Sequence, residues 1–335
     1  MSAVVSEATA EDPRRVMAEA LSAAGLAPAA DAVQWLPLAG GVSNDVFLAE
    51  VGTQRFVVKR ALATLRVAER WDASPERSFT EAAAITWAGA AAPERVPSIL
   101  AVDRDRNVIV ETCAPDGWEN WKVLLLRGEV NPWVGSQLGA ALAVWQTASA
   151  ADPAVAEQFG GAEAFRQLRV DPFYSASAAR NPSVAEQIDR LVRTMSQTRT
   201  VLVHGDYSPK NVLTGDSGLW VIDWEVAHLG DPVFDVAFLL HHLLCKAIAL
   251  PGSARELEET ADAFLDGYNS RGASEPIPSS YLAGHTAALL LARIDGKSPV
   301  EYLSSSQREV GRRIAVEALA EGAEDISQLW RMVHD

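Results

Sequence analysis

The pattern of apolar and polar positions along the chain changes its period near residue 115. Before that point, short apolar runs alternate with polar turns, as they do in the strands of a half-buried sheet. The runs on either side of Val51-Gly52-Thr53 predict a β-hairpin, and residues 99–102 and 108–110 predict a second pair of strands. Between the two pairs, Ser74-Pro75 opens a predicted helix that reaches about Ala90.

Another helix is predicted ahead of the first strand. Asp12 is placed to cap it, Pro13 takes its first position and Gly25 ends it. This N-terminal part therefore combines a helix with a small antiparallel sheet.

After Pro115 the chain follows mostly the helical period. Residues 201–223 are the exception, because short β-like runs there flank polar loops. Periodic stretches that predict helices cover residues 134–149, 183–196, 235–250, 253–269, 279–294 and 306–331.

These patterns predict an α+β protein with two lobes. Residues 1–30 form an N-terminal extension with its helix, residues 31–113 form a small β-rich lobe, and residues 114–335 form a larger, mostly helical lobe. The join between the lobes is expected near Glu111 to Pro115. A chain of 335 residues is long enough for two such lobes.

Composition and charge narrow the range of partners. Lys and Arg number 29 against 44 Asp and Glu, which gives a net charge of −15. Such a chain is a poor partner for nucleic acid or an anionic membrane. The charge permits a cationic substrate, although a solubilising surface is the simpler interpretation.

Three further features predict a cytoplasmic protein. The N-terminus shows no basic segment followed by an apolar one, so no signal peptide is expected. Cys113 and Cys245 are far apart and lie in apolar surroundings, as reduced core thiols do. Polar residues interrupt the longest apolar run, 233–250, which predicts a buried core helix and no membrane span.

The candidate chemistry lies in the sequence VLVHGDYSPKNVL, residues 201–213. Asp206 follows one short apolar run, and Asp223 follows another beyond a predicted hairpin, with Asn211 between them. Magnesium prefers hard oxygen ligands and takes few from the protein, so Asn211 and Asp223 are candidate ligands. Asp206 would then be free to accept a hydrogen bond from a substrate hydroxyl. This spacing fits phosphoryl transfer from a nucleotide.

The same residues resemble the catalytic loop of the aminoglycoside phosphotransferase and choline kinase group. These are small-molecule kinases with the protein-kinase-like fold. The resemblance continues through Ile222-Asp223-Trp224-Glu225 and through residues 230–237, and it covers about residues 34–240 in order. It implies a two-lobe kinase that uses Mg2+ and ATP, with GTP as another possible donor.

The resemblance also implies a nucleotide site in the N-terminal lobe. Residues 38–47 look like the family's nucleotide loop, with Gly40, Gly41, Ser43 and Asn44 near the phosphates. Lys59 stands where the phosphate-binding lysine belongs. Its acidic partner is expected to be Glu81, with Glu76 as the alternative.

Further residues receive roles by the same resemblance. The backbone from Glu111 to Cys113 would bind the adenine ring. His204 would shape the catalytic loop by packing and hydrogen bonding. Asp235 would accept backbone N–H bonds from that loop while opening its own helix.

The loop departs from the family at Ser208-Pro209-Lys210-Asn211, where many relatives have His-Pro-Gly-Asn. The change places a cation near the catalytic centre. Lys210 either steadies the transferring phosphate or points to solvent or to an acidic neighbour. The sequence leaves both interpretations open.

The acceptor is predicted to be a small molecule. The chain between Asp223 and Asp235 is too short for the activation segment of a protein kinase, and Ala-Pro-Glu is absent there. Candidate walls of the acceptor site are Trp118, Trp121 and Trp133, together with residues 292–299. In the latter stretch, Arg293 and Asp295 either face a substrate or hold a helix end together.

The predicted function is therefore an ATP- or GTP-dependent, magnesium-dependent kinase of a small-molecule hydroxyl. A sugar, an aminoglycoside, an amino alcohol and a thiosugar are all compatible acceptors. The alternative is a catalytically silent pseudokinase that binds a nucleotide or another ligand. The oligomeric state and the choice between a metabolic and a resistance role stay open.

Overall fold

A computed structural model describes residues 12–38, 44–62, 64, 74–270 and 276–335, and the chain divides into two compact units. The first unit comprises Met1–Ala82 and Ser98–Cys113, and the second comprises Ala83–Pro97 and Ala114–Asp335. The first is built around a sheet and the second is mostly helical. The predicted α+β class is confirmed.

The first unit contains a five-stranded antiparallel sheet with the order β1-β2-β3-β5-β4. Both predicted strand pairs are present in it. The turn of the first hairpin contains Gly52 with a φ of 60°, a left-handed value that glycine adopts without strain. The strands are β1 (Gln34–Pro37), β2 (Asn44–Val51), β3 (Gln54–Ala61), β4 (Ile99–Asp103) and β5 (Val108–Thr112).

Helix α1 (Pro13–Ala23) packs its apolar face on this sheet. Met17 and Leu21 are fully buried with Val58 and Val110, so burial of apolar surface stabilises the contact. The carboxylate of Asp12 accepts from the first turn of the helix, as the sequence predicts. Helix α2 (Arg77–Ala91) confirms the helix predicted between the strand pairs, and its residues 77–82 belong to this unit.

The second unit contains most of the helices. Its described helices are α3 (Trp121–Leu126), α4 (Pro132–Ala150), α5 (Pro153–Gln158), α6 (Glu163–Phe165), α7 (Ala176–Arg180), α8 (Ala185–Gln197), α9 (Val233–Ala249), α10 (Ala254–Ser270), α11 (Ser279–Asp295), α12 (Ser305–Glu321) and α13 (Ile326–His334). The prediction of one periodic stretch over 306–331 is wrong. Gly322, with a φ of 75°, ends α12, and the Asp325 side chain caps α13, so two helices form there.

Two small sheets complete the second unit. One joins β6 (Glu119–Asn120), β8 (Val212–Gly215) and β9 (Gly218–Val221), and the other pairs β7 (Val201–Val203) with β10 (His228–Gly230). The loop between β7 and β8 contains the predicted catalytic residues.

The interior of the second unit is formed largely by α4, α9, α10 and α11. Helix α9 is buried along almost its whole length, as the sequence predicts for a core helix. Small residues let α4 and α10 approach closely: a Cβ at Gly139 would lie 2.0 Å from the carbonyl oxygen of Phe264. Across the described residues, the helices all lack the length and apolar character that a bilayer span requires.

Several short elements were not predicted, and one of them is unusual. Residues Arg166–Ser175 form a π-helical segment that contains Pro172. Extended π-helix is rare and is found mostly at functional sites. The segment supplies Arg169, which contacts the candidate active site described next.

Candidate active site

The catalytic loop leaves the sheet through a buried strand and turns sharply at Gly205. This glycine has a φ of 79°, and a Cβ there would lie 2.8 Å from the carbonyl oxygen of Val226. Both facts require glycine. The turn places Asp206 directly beyond the end of β7, and Asp206 is buried. The loop is tied down on its far side because the Tyr207 hydroxyl donates to the carbonyl of Leu138, at 2.8 Å.

His204 connects the two parts of the site. Its Nδ1 accepts from the backbone N–H of Asp206 at 3.1 Å, so the proton is on Nε2, which lies 3.1 Å from the carbonyl oxygen of Ile222. Burial lowers the pKa of His204 to about 4, and the ring is therefore neutral at pH 7. A neutral His204 thus holds Asp206 and the residue before Asp223 in one arrangement.

Asp235 supports the same loop from the first turn of α9. Its two carboxylate oxygens accept the backbone N–H groups of His204 and Gly205, at 2.7 and 2.9 Å. These are the kind of backbone bonds that the resemblance implies for Asp235. Burial raises the pKa of Asp235 to about 7, while the two backbone donors act in the opposite direction.

The Asp206 carboxylate is held by two cations. Its Oδ2 lies 2.9 Å from Nη2 of Arg169 and 2.9 Å from Nζ of Lys210. Burial by itself would raise the pKa of Asp206, but the charges of Arg169 and Lys210 outweigh it and hold the pKa well below the ordinary value. Asp206 is therefore an ionised carboxylate, suited to orienting a hydroxyl and weak as a base.

Arg169 contacts the candidate active site, and no role for it was predicted from the sequence. Its side chain is 11% exposed, and its Nε also donates to the carbonyl oxygen of Gly205 at 2.6 Å. The guanidinium thus holds both the side chain of Asp206 and the backbone just before it. Pro172, in an otherwise helical segment, was the only local signal of an unusual element there.

Lys210 is half-exposed, with 49% of its side chain accessible. Burial lowers its pKa, but the carboxylates of Asp206 and Asp223 outweigh this effect and raise it, so the ammonium is charged. The structure thus places Lys210 beside an acidic residue, which is one of the interpretations that the sequence left open. That neighbour is the candidate catalytic carboxylate itself.

Asn211 and Asp223 supply the candidate metal ligands. The Asn211 Nδ2 donates to the carbonyl of Asp206 at 3.0 Å, so its Oδ1 is the atom that remains for a cation. Asp223 has a φ of 68°, a left-handed conformation that is uncommon outside glycine and is often found at functional sites. The backbone N–H of Ile222 donates to the Asn211 carbonyl at 2.9 Å, which links the two ligands.

In the first unit, Lys59 forms a buried ionic group with two glutamates. Its Nζ lies 2.6 Å from Oε1 of Glu81 and 3.1 Å from Oε1 of Glu111. Lys59 pairs with Ile109 across β3 and β5, which puts Glu111 two residues along on the same face. Glu76, the alternative partner, is exposed. The contact of the Glu111 side chain was not predicted.

The other predicted nucleotide residues are placed as follows. Gly40, Gly41 and Ser43 lie outside the described residues. Asn44 is buried at the start of β2, and Cys113 is partly buried directly after β5. In the described part of the chain, no group of three or more His, Cys, Asp or Glu is arranged to hold a metal ion.

The three candidate acceptor residues mostly make contacts within the protein. The Trp118 indole donates to Ser217 at 2.9 Å and packs on Trp220. Asp295 accepts two bonds from Arg312, at 2.8 Å each, which favours the helix-end interpretation for it. Arg293 donates to Ser298 through Nη1, while its Nε is buried without a partner in the described structure.

The chain belongs to the phosphotransferase enzyme family, whose model, APH, matches residues 34–277. This match confirms the family that the sequence predicted. The assignment covers both the Lys59 group and the catalytic loop.

Individual solved structures are similar to this chain at low sequence identity. The amicoumacin kinase hAmiN, solved with AMP-PNP, Ca2+ and Ami, is similar over 88% of this chain and 89% of its own, with 13% identity and a TM-score of 0.55. A choline/ethanolamine kinase family protein from Mesorhizobium loti is similar over 90% and 92%, with 19% identity and a TM-score of 0.50. At these identities the likeness shows the fold, and the predicted protein-kinase-like fold is confirmed.

Among curated proteins, protein LicA of Haemophilus influenzae is 35% identical over 65 residues, which are 19% of this chain and 20% of LicA. The matched segments span less than half the length of the curated relatives.

Proposed function

We propose that this protein transfers the γ-phosphoryl group of a nucleoside triphosphate to a hydroxyl of a small molecule, with Mg2+. The observation that carries the proposal is the state of Asp206. It is buried, ionised and held on one oxygen by Arg169 and Lys210, in a loop that also presents the Asn211 oxygen, while Asp223 follows the next hairpin. Positioning and charge neutralisation account for most of the catalysis in this reaction class.

In this proposal the first unit binds the nucleotide. Lys59, oriented by Glu81 and Glu111, holds phosphate oxygens, because the two carboxylates fix the position of its side-chain nitrogen. The loop with Gly40, Gly41, Ser43 and Asn44 contributes backbone N–H groups. The backbone from Glu111 to Cys113 binds the base, with ATP as the expected donor and GTP as the alternative.

The side-chain oxygens of Asn211 and Asp223 are donor atoms of the kind that bind a magnesium ion. Both offer hard oxygens, and magnesium usually takes only one or two ligands from the protein. When bound, the metal neutralises charge on the phosphates. The bond from Asn211 Nδ2 to the Asp206 carbonyl fixes which atom of the amide faces a cation.

The proposed step forms one bond and breaks one. Asp206 accepts a hydrogen bond from the acceptor hydroxyl and aims its oxygen at the γ-phosphorus. The new O–P bond forms as the bond to the β-phosphate oxygen breaks, and nucleoside diphosphate leaves. The hydroxyl proton passes late in the transfer to Asp206 and then to solvent, since a carboxylate of low pKa is a poor early base.

Lys210 is proposed to do two things in this step. It balances the charge of Asp206 before transfer, and its half-exposed ammonium steadies the phosphoryl group as charge develops there. His204 and Asp235 are positioning residues, because they hold the loop and touch no reacting atom in this account.

The experiment is transfer of labelled γ-phosphate to a panel of sugars, aminoglycosides, amino alcohols, thiosugars and hydroxy acids, with magnesium and with a chelator. Label in a small molecule, lost on chelation, is the expected result. Magnesium–nucleotide binding without transfer to any acceptor would instead indicate the silent pseudokinase. Label on protein alone would indicate a protein kinase, and either result would overturn the proposal.

A further inference from the structure

A second group of polar side chains lies near the catalytic loop, and the proposed reaction does not use it. We call it the basic cluster. It consists of side chains from α9, α11 and the segment after α11, namely His241, His242, Lys246, Arg293 and Tyr302. All of them belong to the second unit, as Asp206 does.

Lys246 is the most unusual member of the basic cluster. The residue is 1% exposed, and its Nζ reaches only the carbonyl oxygen of His242, at 3.4 Å, and the face of the Tyr302 ring, at 5.6 Å. Considering only the residues that the structure describes, no carboxylate lies within 4.0 Å of it. Burial lowers its pKa to about 7. A buried ammonium without a counter-ion is costly, so such a group calls for a function.

Three further atoms of the cluster are buried without a hydrogen-bond partner within the described structure. They are Nε of Arg293, Nε2 of His241 and the hydroxyl oxygen of Tyr302. Buried polar atoms in native proteins are almost always satisfied, and leaving one unpaired costs free energy. Several such atoms beside one buried lysine are the pattern expected around a missing polar ligand.

The basic cluster is connected to the catalytic carboxylate through aromatic rings. Arg169, which holds Asp206, lies 5.8 Å from the Phe173 ring centre, and Arg293 lies 5.6 Å from the same ring. Arg169 also lies 5.8 Å from the Phe238 ring, which packs on His241. A single aromatic side chain therefore separates the basic cluster from Arg169, the residue that holds Asp206.

The charges of this region favour an anion. Of its carboxylates, Asp206 is already matched by Arg169 and Lys210, and Glu301 is matched by Lys122. Lys246 and Arg293 have no such partner in the part of the chain that the structure describes. Burial, more than the charges of His241, Lys246 and Arg293, holds the pKa of His242 well below its ordinary value, so its ring is neutral at pH 7.

We propose that the acceptor is a hydroxylated anion, and that its carboxylate or phosphate group binds between Lys246 and Arg293 while its hydroxyl points to Asp206. The His241 ring and the Tyr302 hydroxyl supply the remaining hydrogen bonds. This inference rests on the proposed kinase function and specifies its substrate class. It is opposite in charge to the cationic acceptor that the net charge of −15 permits. The competing explanation is that Lys246 is a neutral core residue with no ligand.

The first test measures anion binding and does not depend on turnover. The melting temperature is recorded with malonate or inorganic phosphate against chloride at matched ionic strength, for wild type, Lys246→Met and Arg255→Gln. Arg255 is an exposed residue of α10, so its variant removes one positive charge elsewhere. Lys59→Met excludes binding at the nucleotide site.

We expect the anions to raise the melting temperature of wild type, Arg255→Gln and Lys59→Met by about 2 °C or more at saturation. Lys246→Met should lose this rise. Because it replaces a buried cation with an apolar side chain of similar length, it should remain folded. Tyr302→Phe, which removes only the hydroxyl, serves as a second variant and should show a reduced rise. No rise in wild type, or an equal rise in Lys246→Met, would overturn the inference.

The second test uses related acceptors that differ in charge through the replacement of one group: glucuronate, glucose and glucosamine, and glycerate beside glycerol. The inference predicts that kcat/KM is at least about tenfold higher for the acid in the pairs that react, and that Lys246→Met removes the preference. Turnover of only neutral or cationic acceptors would overturn the inference and leave the kinase function standing. Anion binding that depends on Lys246, without turnover of any acceptor, would support the site and count against the kinase function.

Discussion

Nη2 of Arg169 lies 2.9 Å from Oδ2 of Asp206, although 36 residues separate them in the chain. The contact has an electrostatic consequence, because the guanidinium, together with Lys210, opposes the effect of burial and lowers the pKa of the Asp206 carboxyl group. It also fixes the direction of the carboxylate, since the same guanidinium holds the Gly205 carbonyl.

The first prediction concerns this pair. Arg169→Met removes the charge and keeps the length of the side chain, so the pKa of Asp206 should rise toward its ordinary value. The acidic limb of the kcat/KM profile should then move to higher pH, and kcat should fall by about tenfold or more. The measurement is a pH–rate profile in which circular dichroism at each pH confirms that the variant is folded. Arg169→Lys, which keeps the charge, should shift the limb less.

An acidic limb in Arg169→Met that coincides with that of wild type would contradict this account of Arg169. Loss of activity without a shift in the profile would indicate a purely structural role.

Lys210→Ala distinguishes the two interpretations of this residue that the sequence left open. In one, Lys210 steadies the transferring phosphate, and in the other it only points to solvent or to an acidic neighbour. If Lys210 steadies the transferring phosphoryl group, the turnover number should fall by about tenfold while the nucleotide KM changes little. Because the side chain is half-exposed, the free energy of unfolding should change by less than about 1 kcal/mol. Steady-state kinetics and urea denaturation check the two statements, and turnover within twofold of wild type would rule out the catalytic role.

The free energy of unfolding of this protein should begin to fall at a pH well above the range in which ordinary carboxylates titrate. Burial lowers the folded pKa of five histidines below the ordinary value of 6.5. The unfolded chain therefore binds these protons first, and stability is lost as the pH falls below 6.5. Each unit of pH below 6.5 costs about 1.4 kcal/mol per histidine until its folded pKa is reached. The histidines are His204, His228, His241, His242 and His285.

Asp235 acts in the opposite direction, because its folded pKa is raised to about 7 and it gains a proton in the folded state as the pH falls. One carboxyl group offsets only part of the effect of five histidines. Urea denaturation at about pH 7.5 and 5.5 should therefore show a large loss of unfolding free energy. Equal stability at the two values would show that these histidines are protonated in the folded protein.

Close packing of α4 against α10 gives a prediction about stability alone. A Cβ at Gly139 would lie 2.0 Å from the carbonyl oxygen of Phe264 and 2.7 Å from the backbone nitrogen of Tyr268. Gly139→Ala must force the helices apart, and we expect a loss of about 1–3 kcal/mol in the free energy of unfolding. Gly161→Ala is the control, since a Cβ there meets nothing within 4 Å and should change stability by less than about 0.5 kcal/mol. Similar values for the two variants would contradict the packing argument.

The candidate catalytic residues could be proposed from the sequence because they lie close together along the chain. Asp206, Asn211 and Asp223 lie within one strand–loop–hairpin unit, so their spacing along the chain already limits their distances. Strands and helices with clear periods were predictable for the same reason, since each pattern is read within a single element.

What the sequence did not reveal depends on contacts between distant elements. Arg169 reaches Asp206 from a π-helical segment, and Asp295 is paired with Arg312 from another helix. The side chain of Glu111 meets Lys59 across neighbouring strands, while the sequence drew attention to the backbone of Glu111. The break at Gly322 was missed because the apolar period continues on both sides of one glycine in a left-handed conformation.

The central claim is that Asp206 orients the acceptor for phosphoryl transfer, and Asp206→Asn tests it most directly. Single-turnover transfer of labelled phosphate to a reactive acceptor is measured beside magnesium–nucleotide affinity in the same preparations. The account predicts a fall in the transfer rate of about a thousandfold or more, with nucleotide affinity within about twofold of wild type. Transfer by Asp206→Asn at a rate near that of wild type would contradict it.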